Sequence, residues 1–382
     1  MQKISRLPLL IGLLMLAACL PVNGGDSSSG TPAPPLTQPL PGAVTLTPFQ
    51  PWGLVPANPP AAYGARGSWI EVYFTDPQNP LSAQETGGVD SVLVAAIDAA
   101  RLSVDVAIYN LTINSLRDAL IRAYQRGVQV RVVMESDNRD KDDPEMLMEA
   151  GITVLGDRRE GLMHNKFVVI DRSEVWLGSM NFTNTGVYSD NNNWLLIRSV
   201  KMAENYTKEF DEMFVDDKFG SDALPATPNP VLTIDGTVVE TYFSPDDSVA
   251  LSLLPLLENA QQSIYFMAYS FTSDPLGEMI RARAAAGVTV AGVMDAEQIK
   301  SNIGTEYDPF QQAGLDVRSD GNARLMHHKV MIIDEEIVIT GSYNFTNSAE
   351  TRNDENLVII YNDQVAGFFL QEFQRVFAQA QP

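Results

Sequence analysis

From residue 67 onward, apolar runs alternate with amphipathic stretches in an order that occurs twice. Val104 to Tyr109 reads as a strand, Ser115 to Arg126 as an amphipathic helix ended by Gly127, and Val128 to Met134 as a second strand. The order returns as Ile264 to Tyr269, Leu276 to Ala286 with Gly287 behind it, and Val288 to Met294. Beyond Gly151 and Gly314 each stretch continues with a short strand and a turn. A strand follows over Lys166 to Ile170 or Lys329 to Ile333, then one more over Glu174 to Leu177 or Ile337 to Thr340. Strands alternating with helices predict an α/β fold: two halves, each a mixed, largely parallel β-sheet flanked by helices.

The repeat holds residue by residue. Met163-His164-Asn165-Lys166-Phe167-Val168-Val169-Ile170-Asp171 is echoed 163 positions later by Met326-His327-His328-Lys329-Val330-Met331-Ile332-Ile333-Asp334. The same displacement carries Gly178-Ser179-Met180-Asn181-Phe182-Thr183 onto Gly341-Ser342-Tyr343-Asn344-Phe345-Thr346, and Glu209-Phe210 onto Glu372-Phe373. Tyr109, Thr112 and Gly127 map onto Tyr269, Thr272 and Gly287 at 160. Pro225, Pro228 and Pro230 punctuate the junction, so the halves are expected at 67–225 and 226–382.

The N-terminus has another character. Lys3 and Arg6 precede an apolar run from Leu7 to Ala18, too short to span a bilayer, and then Cys19, the chain's 1 cysteine. Leu16-Ala17-Ala18-Cys19 resembles the bacterial lipobox, which implies a signal peptide over 1–18 and a lipidated Cys19. The protein is then expected to be exported and anchored on the outer side of the cytoplasmic membrane or at the outer membrane. With one cysteine no intrachain disulfide staples the fold. Between Pro21 and Pro60 lie 11 of the 23 prolines, so 19–66 reads as a stiff, solvated tether.

Length and composition fit a globular body: 382 residues, 45% hydrophobic and 19% charged. The net charge is −22, or −24 once Lys3 and Arg6 are removed, a field that repels polyanions at long range and argues against tight, non-specific nucleic-acid binding.

The repeated pattern His-x-Lys-x4-Asp with Gly-Ser-x-Asn suits phosphodiester chemistry. Lys166 and Lys329 supply cations for the phosphate oxygens, and Asn181 and Asn344 add amide donors. On a strand, His164 and Lys166 point to one face and reach one phosphate. A neutral imidazole attacks phosphorus and a cationic one protonates a leaving alkoxide, so His164 and His327 can divide the roles. Of the 3 histidines, His328 has no counterpart, Asn165 standing in its place, and reads as structural or on the surface.

The doubled motif resembles the phospholipase D superfamily, over essentially the whole body after the tether. The resemblance implies halves packed about a pseudo-two-fold axis and a metal-independent reaction through a covalent phosphohistidine, with no cofactor. It implies His164 as nucleophile and His327 as general acid and base. Asp171 and Asp334 complete the candidate catalytic set from behind the phosphate, and Ser179 and Ser342 act as supporting hydroxyls. An acid expected eleven positions after the Gly-Ser-x-Asn asparagine is present as Glu355, but Asn192 stands at the other position. The acid is expected to orient the histidine of the opposite half, pairing Glu355 with His164 and Asn192 with His327. No metal constellation competes; Asp140-Lys141-Asp142-Asp143 reads as a solvated loop.

The expected function is phospholipid head-group hydrolysis or transfer at a membrane, by a monomer whose two halves form an intramolecular pseudo-dimer. Two alternatives stand beside it: an endonuclease, for which Arg158, Arg159 and Arg324 would form a basic rim unless salt bridges occupy them, and a catalytically silent binding lipoprotein.

Overall fold

The computed structural model describes residues 54–381, within a compact unit spanning Pro51–Pro382. The signal peptide, Cys19 and the tether as far as residue 53 lie outside the described residues. The rest of the expected tether, 54–66, instead forms the edge strands Val55–Pro56 and Ala62–Arg66. Ala62 and Ala65 are buried, and at the outermost strand Pro56 interrupts no ladder.

The first sheet runs Val55–Pro56, Ala62–Arg66, Ile70–Thr75, Asn193–Arg198, Glu174–Gly178, Lys166–Ile170, Ser103–Ile108, Gln129–Met134, Thr153–Gly156. The second runs Val231–Ile234, Thr237–Ser244, Glu355–Tyr361, Ile337–Gly341, Lys329–Ile333, Ser263–Ala268, Thr289–Met294, Asp316–Ser319, the same order strand for strand from Ile70–Thr75 and its partner Thr237–Ser244 onward. Both sheets are mixed and helix-flanked as expected, but antiparallel pairs predominate, which corrects the expectation of largely parallel sheets. Among the described strands of the two sheets, the parallel pairs are those joined by helical crossovers, Ser103–Ile108 to Gln129–Met134 to Thr153–Gly156 and their counterparts. The motif strand and its successor are antiparallel because a three-residue turn, too short for a crossover, joins them.

Two helices join the halves. Val200–Phe214 is capped by Ser199 and Asp363–Gln379 by Asn362, each side chain accepting from a backbone N–H of the first turn. The Tyr206 ring lies 5.0 Å from Phe167 of the first sheet and 5.0 Å from Phe243 of the second. Phe369 lies 5.1 Å from Phe74 of the first sheet, and Phe373 5.1 Å from Tyr265 of the second. One hydrophobic core therefore runs from Val104 through Tyr206 to Val330 and Phe373. Each such aromatic contributes about 2 kcal/mol by burial, so the halves do not part without a large cost. A second core lies on the opposite face of the second sheet, beneath Val249–Asn259 and Asp274–Ala285. Among the described residues no helix is long and apolar enough to cross a membrane.

Candidate active site

Lys166 and Lys329 open their strands, and Gly178 and Gly341 close the antiparallel neighbours, so register alone brings His-x-Lys and Gly-Ser-x-Asn to one end of each sheet. The backbone then joins the two ends. His164 N donates to Asp354 O at 3.0 Å and Asp354 N to Leu162 O at 2.9 Å; His327 N donates to Asn191 O at 2.9 Å and Asn191 N to Leu325 O at 2.8 Å. Each histidine is built by one half and held by the other.

The side chains cross in the same way. His164 Nδ1 lies 2.8 Å from Glu355 Oε2, which accepts from Ser342 Oγ at 2.7 Å. His327 Nδ1 lies 3.0 Å from Asn192 Oδ1, which accepts from Ser179 Oγ at 2.7 Å. Both cross-half pairs that the resemblance implied are present. Asn192 Nδ2 donates to Gly186 O at 2.8 Å, which turns Oδ1 toward the ring and fixes the His327 proton on Nδ1. Glu355 does the same for His164. Among the described residues neither Nε2 has a partner, so each is left for the substrate.

Burial pushes His164 down to about 4, opposed by Glu355 and reinforced by Lys166. Burial, Lys329, Lys166 and His164 together push His327 well below the usual imidazole range. Lys166 is pushed down to about 7 by burial, and Lys329 well down by burial and by Lys166. Burial thus favours neutral rings and neutral amines here, and a bound anion would favour their charged forms. Asn181 and Asn344 stand two residues beyond the serines, half-buried, each with an Oδ1 that has no partner among the described residues.

Asp171 and Asp334 are not at this site. They lie at the far end of the motif strands, where Asp171 accepts the N–H groups of Arg101, Leu102 and Ser103, and Asp334 those of Gln261, Gln262 and Ser263. Their inclusion in the catalytic set is corrected: five residues along a strand carry a side chain about 16 Å from the lysine. Asp171 has φ 51° and Asp334 φ 53°, a left-handed conformation that three donors apiece offset. Asp171→Ala and Asp334→Ala are expected to cost about 2 kcal/mol of stability each, read by thermal unfolding, with phosphate-site affinity unchanged. Burial alone would raise the Asp334 carboxyl, but the three N–H donors outweigh it and hold it below its ordinary value. Its contribution is therefore full above the ordinary carboxylate range and lost as pH falls through the lowered value.

Behind the histidines runs a buried polar layer that the motif did not announce. Asn165 accepts from Asn356 Nδ2 at 3.0 Å, while His328 Nδ1 lies 3.0 Å from Asn193 Oδ1 and its Nε2 2.8 Å from Glu372 Oε1, which Arg375 also holds. His328 is structural and fully buried, not on the surface. The repeat of Glu209-Phe210 on Glu372-Phe373 was the sequence signal for these helix positions. Tyr109 and Tyr269, also carried by the repeat, lie with ring centroids 5.2 Å and 4.6 Å from His164 and His327.

The possible basic rim is largely spent: Arg158 pairs with Asp217, and Arg159 lies 3.8 Å from Asp217 and 3.7 Å from Asp222. The Asp140 to Asp143 run is not a loop throughout; Asp142 opens the helix Asp142–Glu149, and Asp143, buried, pairs with Arg117. Among the described residues no group of three or more His, Cys, Asp or Glu is placed to hold a metal ion.

Comparison with known proteins gives a consistent result. A family model described as "Cardiolipin synthase, PLD-like domain" matches residues 93–214 and again 253–377. A phospholipase D of Rickettsia typhi is 36% identical over 135 residues, 35% of this chain and 66% of its own length. The mitochondrial cardiolipin hydrolase of Homo sapiens is 36% identical over 139 residues, 36% of this chain and 55% of its own. The chain thus spans less than two thirds of the length of these relatives. The crystal structure of phosphatidylserine synthase from Haemophilus influenzae shares the fold, with a TM-score of 0.61 over 78% of this chain and 85% of that one, at 13% identity.

Proposed function

Since the chain belongs to the cardiolipin synthase, PLD-like domain family, we propose that it is a phosphodiesterase that hydrolyses or transfers phospholipid head groups through a phosphohistidine on His164. The observation that carries this reading is the unequal support of two otherwise matched histidines, Glu355 behind one and Asn192 behind the other. A carboxylate stabilises the positive charge that develops on His164 as it attacks, whereas an amide leaves His327 readier to give a proton away.

In the first step His164 Nε2 bonds to phosphorus as the P–O bond to the leaving alcohol breaks, and His327 Nε2–H supplies the alcohol's proton. In the second, His327 takes a proton from water or an acceptor alcohol, whose oxygen attacks phosphorus and breaks the P–N bond, restoring His164. Lys166, Lys329, Asn181 and Asn344 hold the non-bridging oxygens and favour their added negative charge in the transition state. Neither step calls on a metal or a cofactor. Both motifs lie in one chain, so a monomer is sufficient.

The lipid substrate is supported by the relatives named phospholipase D and cardiolipin hydrolase, by the acidic body, by the pairing of Arg158 and Arg159, and by the Leu16-Ala17-Ala18-Cys19 signal. As a lipoprotein the chain would work at an outer membrane face, which fails if Cys19→Ala leaves its membrane fractionation unaltered. The full chain is to be given phosphatidylcholine vesicles, cardiolipin vesicles and a single-stranded oligonucleotide, each with EDTA and with a His164→Ala control. Head-group release that survives EDTA and vanishes in the control is expected. Cleavage of the oligonucleotide alone would make it a nuclease, loss with EDTA would end the metal-free mechanism, and inertness toward all three would favour a silent binding protein.

A further inference from the structure

The two active-site lysines are buried without an ion pair among the described residues. Lys166 is 0% exposed and Lys329 2% exposed. Each Nζ donates to the carbonyl of its own motif histidine, Lys166 to His164 O and Lys329 to His327 O, both at 2.8 Å. One carbonyl is little compensation for an ammonium taken out of water. The other neighbour is an aromatic face: Lys166 Nζ stands 5.3 Å from the Tyr109 ring centroid and Lys329 Nζ 4.6 Å from that of Tyr269. Both tyrosines stand just past the end of the strand beside the motif strand: Lys166 is paired with Ile108 and Lys329 with Ala268, and Tyr109 and Tyr269 follow as the chain leaves the sheet.

We propose that Tyr109 and Tyr269 are positioning residues whose ring faces favour the charged forms of Lys166 and Lys329 against burial while leaving the ammonium groups free for the substrate phosphate. A carboxylate in contact would also hold the charge, but it would occupy the ammonium and repel the anion. A ring face attracts a cation through its quadrupole and carries no formal charge, so it stabilises the ammonium without competing for it. The need is large at this place. Lys166 has Glu355 as its nearby favourable charge; Lys329 faces Lys166 unfavourably, with Glu355, Asp295 and Asp190 opposing. Burial favours the neutral forms of His164 and His327, which supply no charge to either lysine. The same pairing occurs in both halves, although the groups behind the histidines have diverged to Glu355 and Asn192.

The inference rests on the phosphodiesterase reading, and its test is kept separate from turnover. Inorganic sulfate remains a dianion from pH 6 to 9.5, so the pH dependence of its binding by the full chain, followed by calorimetry, reports protein groups alone. Tyr109→Phe and Tyr269→Phe keep the ring; Tyr109→Leu and Tyr269→Leu remove it. The phenylalanine variants should follow the parent. Tyr109→Leu should match it within twofold at pH 6 but bind about tenfold more weakly at pH 8, with the alkaline fall in affinity displaced downward by about one pH unit, and Tyr269→Leu should lose more affinity at pH 8 than at pH 6. An equal loss at both pH values, the signature of mere loosening, overturns the proposal. So does a phenylalanine variant that loses as much as leucine, or a parent chain that binds no sulfate. The pH profile of kcat/KM on bis(4-nitrophenyl) phosphate should shift in parallel. If the parent fails to turn that ester over, the proposed function falls while the sulfate series still decides the role of the rings.

Discussion

With His164 replaced by alanine, the chain is expected to lose phosphodiester turnover by roughly 10^4-fold or more and to form no covalent phosphoenzyme. The loss is not recoverable by pH, because no other ring with a free nitrogen stands against a carboxylate: His327 is backed by an amide, and His328 has both nitrogens committed to Asn193 and Glu372. His327→Ala should fail differently. It retains the nucleophile and lacks the proton donor, so substrates with alkoxide leaving groups slow by about 10^2 to 10^4. 4-Nitrophenolate needs no proton to depart, so its esters should still phosphorylate His164, and the intermediate should accumulate because no base activates water. Acid quenching and mass analysis of the peptide containing residue 164 reads both results. Phosphate recovered on His327 instead would reverse the assignment of roles.

Glu355→Gln is expected to slow turnover by about 10^2-fold, against less than about tenfold for Asn192→Ala. The glutamine is isosteric and can still accept the Nδ1 proton, so the loss measures charge. Glu355 is fully buried, and its carboxylate opposes the fall that burial imposes on His164. Removing that charge lowers the value further from about 4, so the acid limb of kcat/KM should move to lower pH as the plateau drops. A loosened structure would depress the plateau without moving the limb. Asn192→Ala removes an orienting acceptor from His327 and no charge. Equal effects of the two substitutions would leave nothing in the site to distinguish nucleophile from acid.

Much of this site was legible because it is written twice. His164, Lys166, His327 and Lys329 stand out by their displacement, Glu355 and Asn192 by their spacing from Asn344 and Asn181, and their crossing to the opposite histidines was implied by the family resemblance. The aspartates misled because a sequence motif shows adjacency along the chain, whereas an extended strand separates Asp171 from Lys166. Sheet direction misled for a related reason: the helical crossovers are conspicuous, while the turn at Asp171 that makes the next pair antiparallel is only three residues long. Glu209 and Glu372 were visible as repeats, but their role depends on where Val200–Phe214 and Asp363–Gln379 sit between the sheets, and single-chain periodicity carries no such information. The tyrosines were visible in the same way and became meaningful only when the fold set them beside buried ammonium groups.

The exchange of backbone hydrogen bonds between His164 and Asp354, and between His327 and Asn191, also bears on when the proposed activity would appear during synthesis. The N-terminal half leaves the ribosome first, bearing a histidine and a lysine whose acid, Glu355, has yet to be translated. Until the second half has folded and docked, His164 has neither its orienting carboxylate nor the backbone that holds it. On the proposed mechanism the first half is therefore silent by itself, and docking of the second half is the activating event.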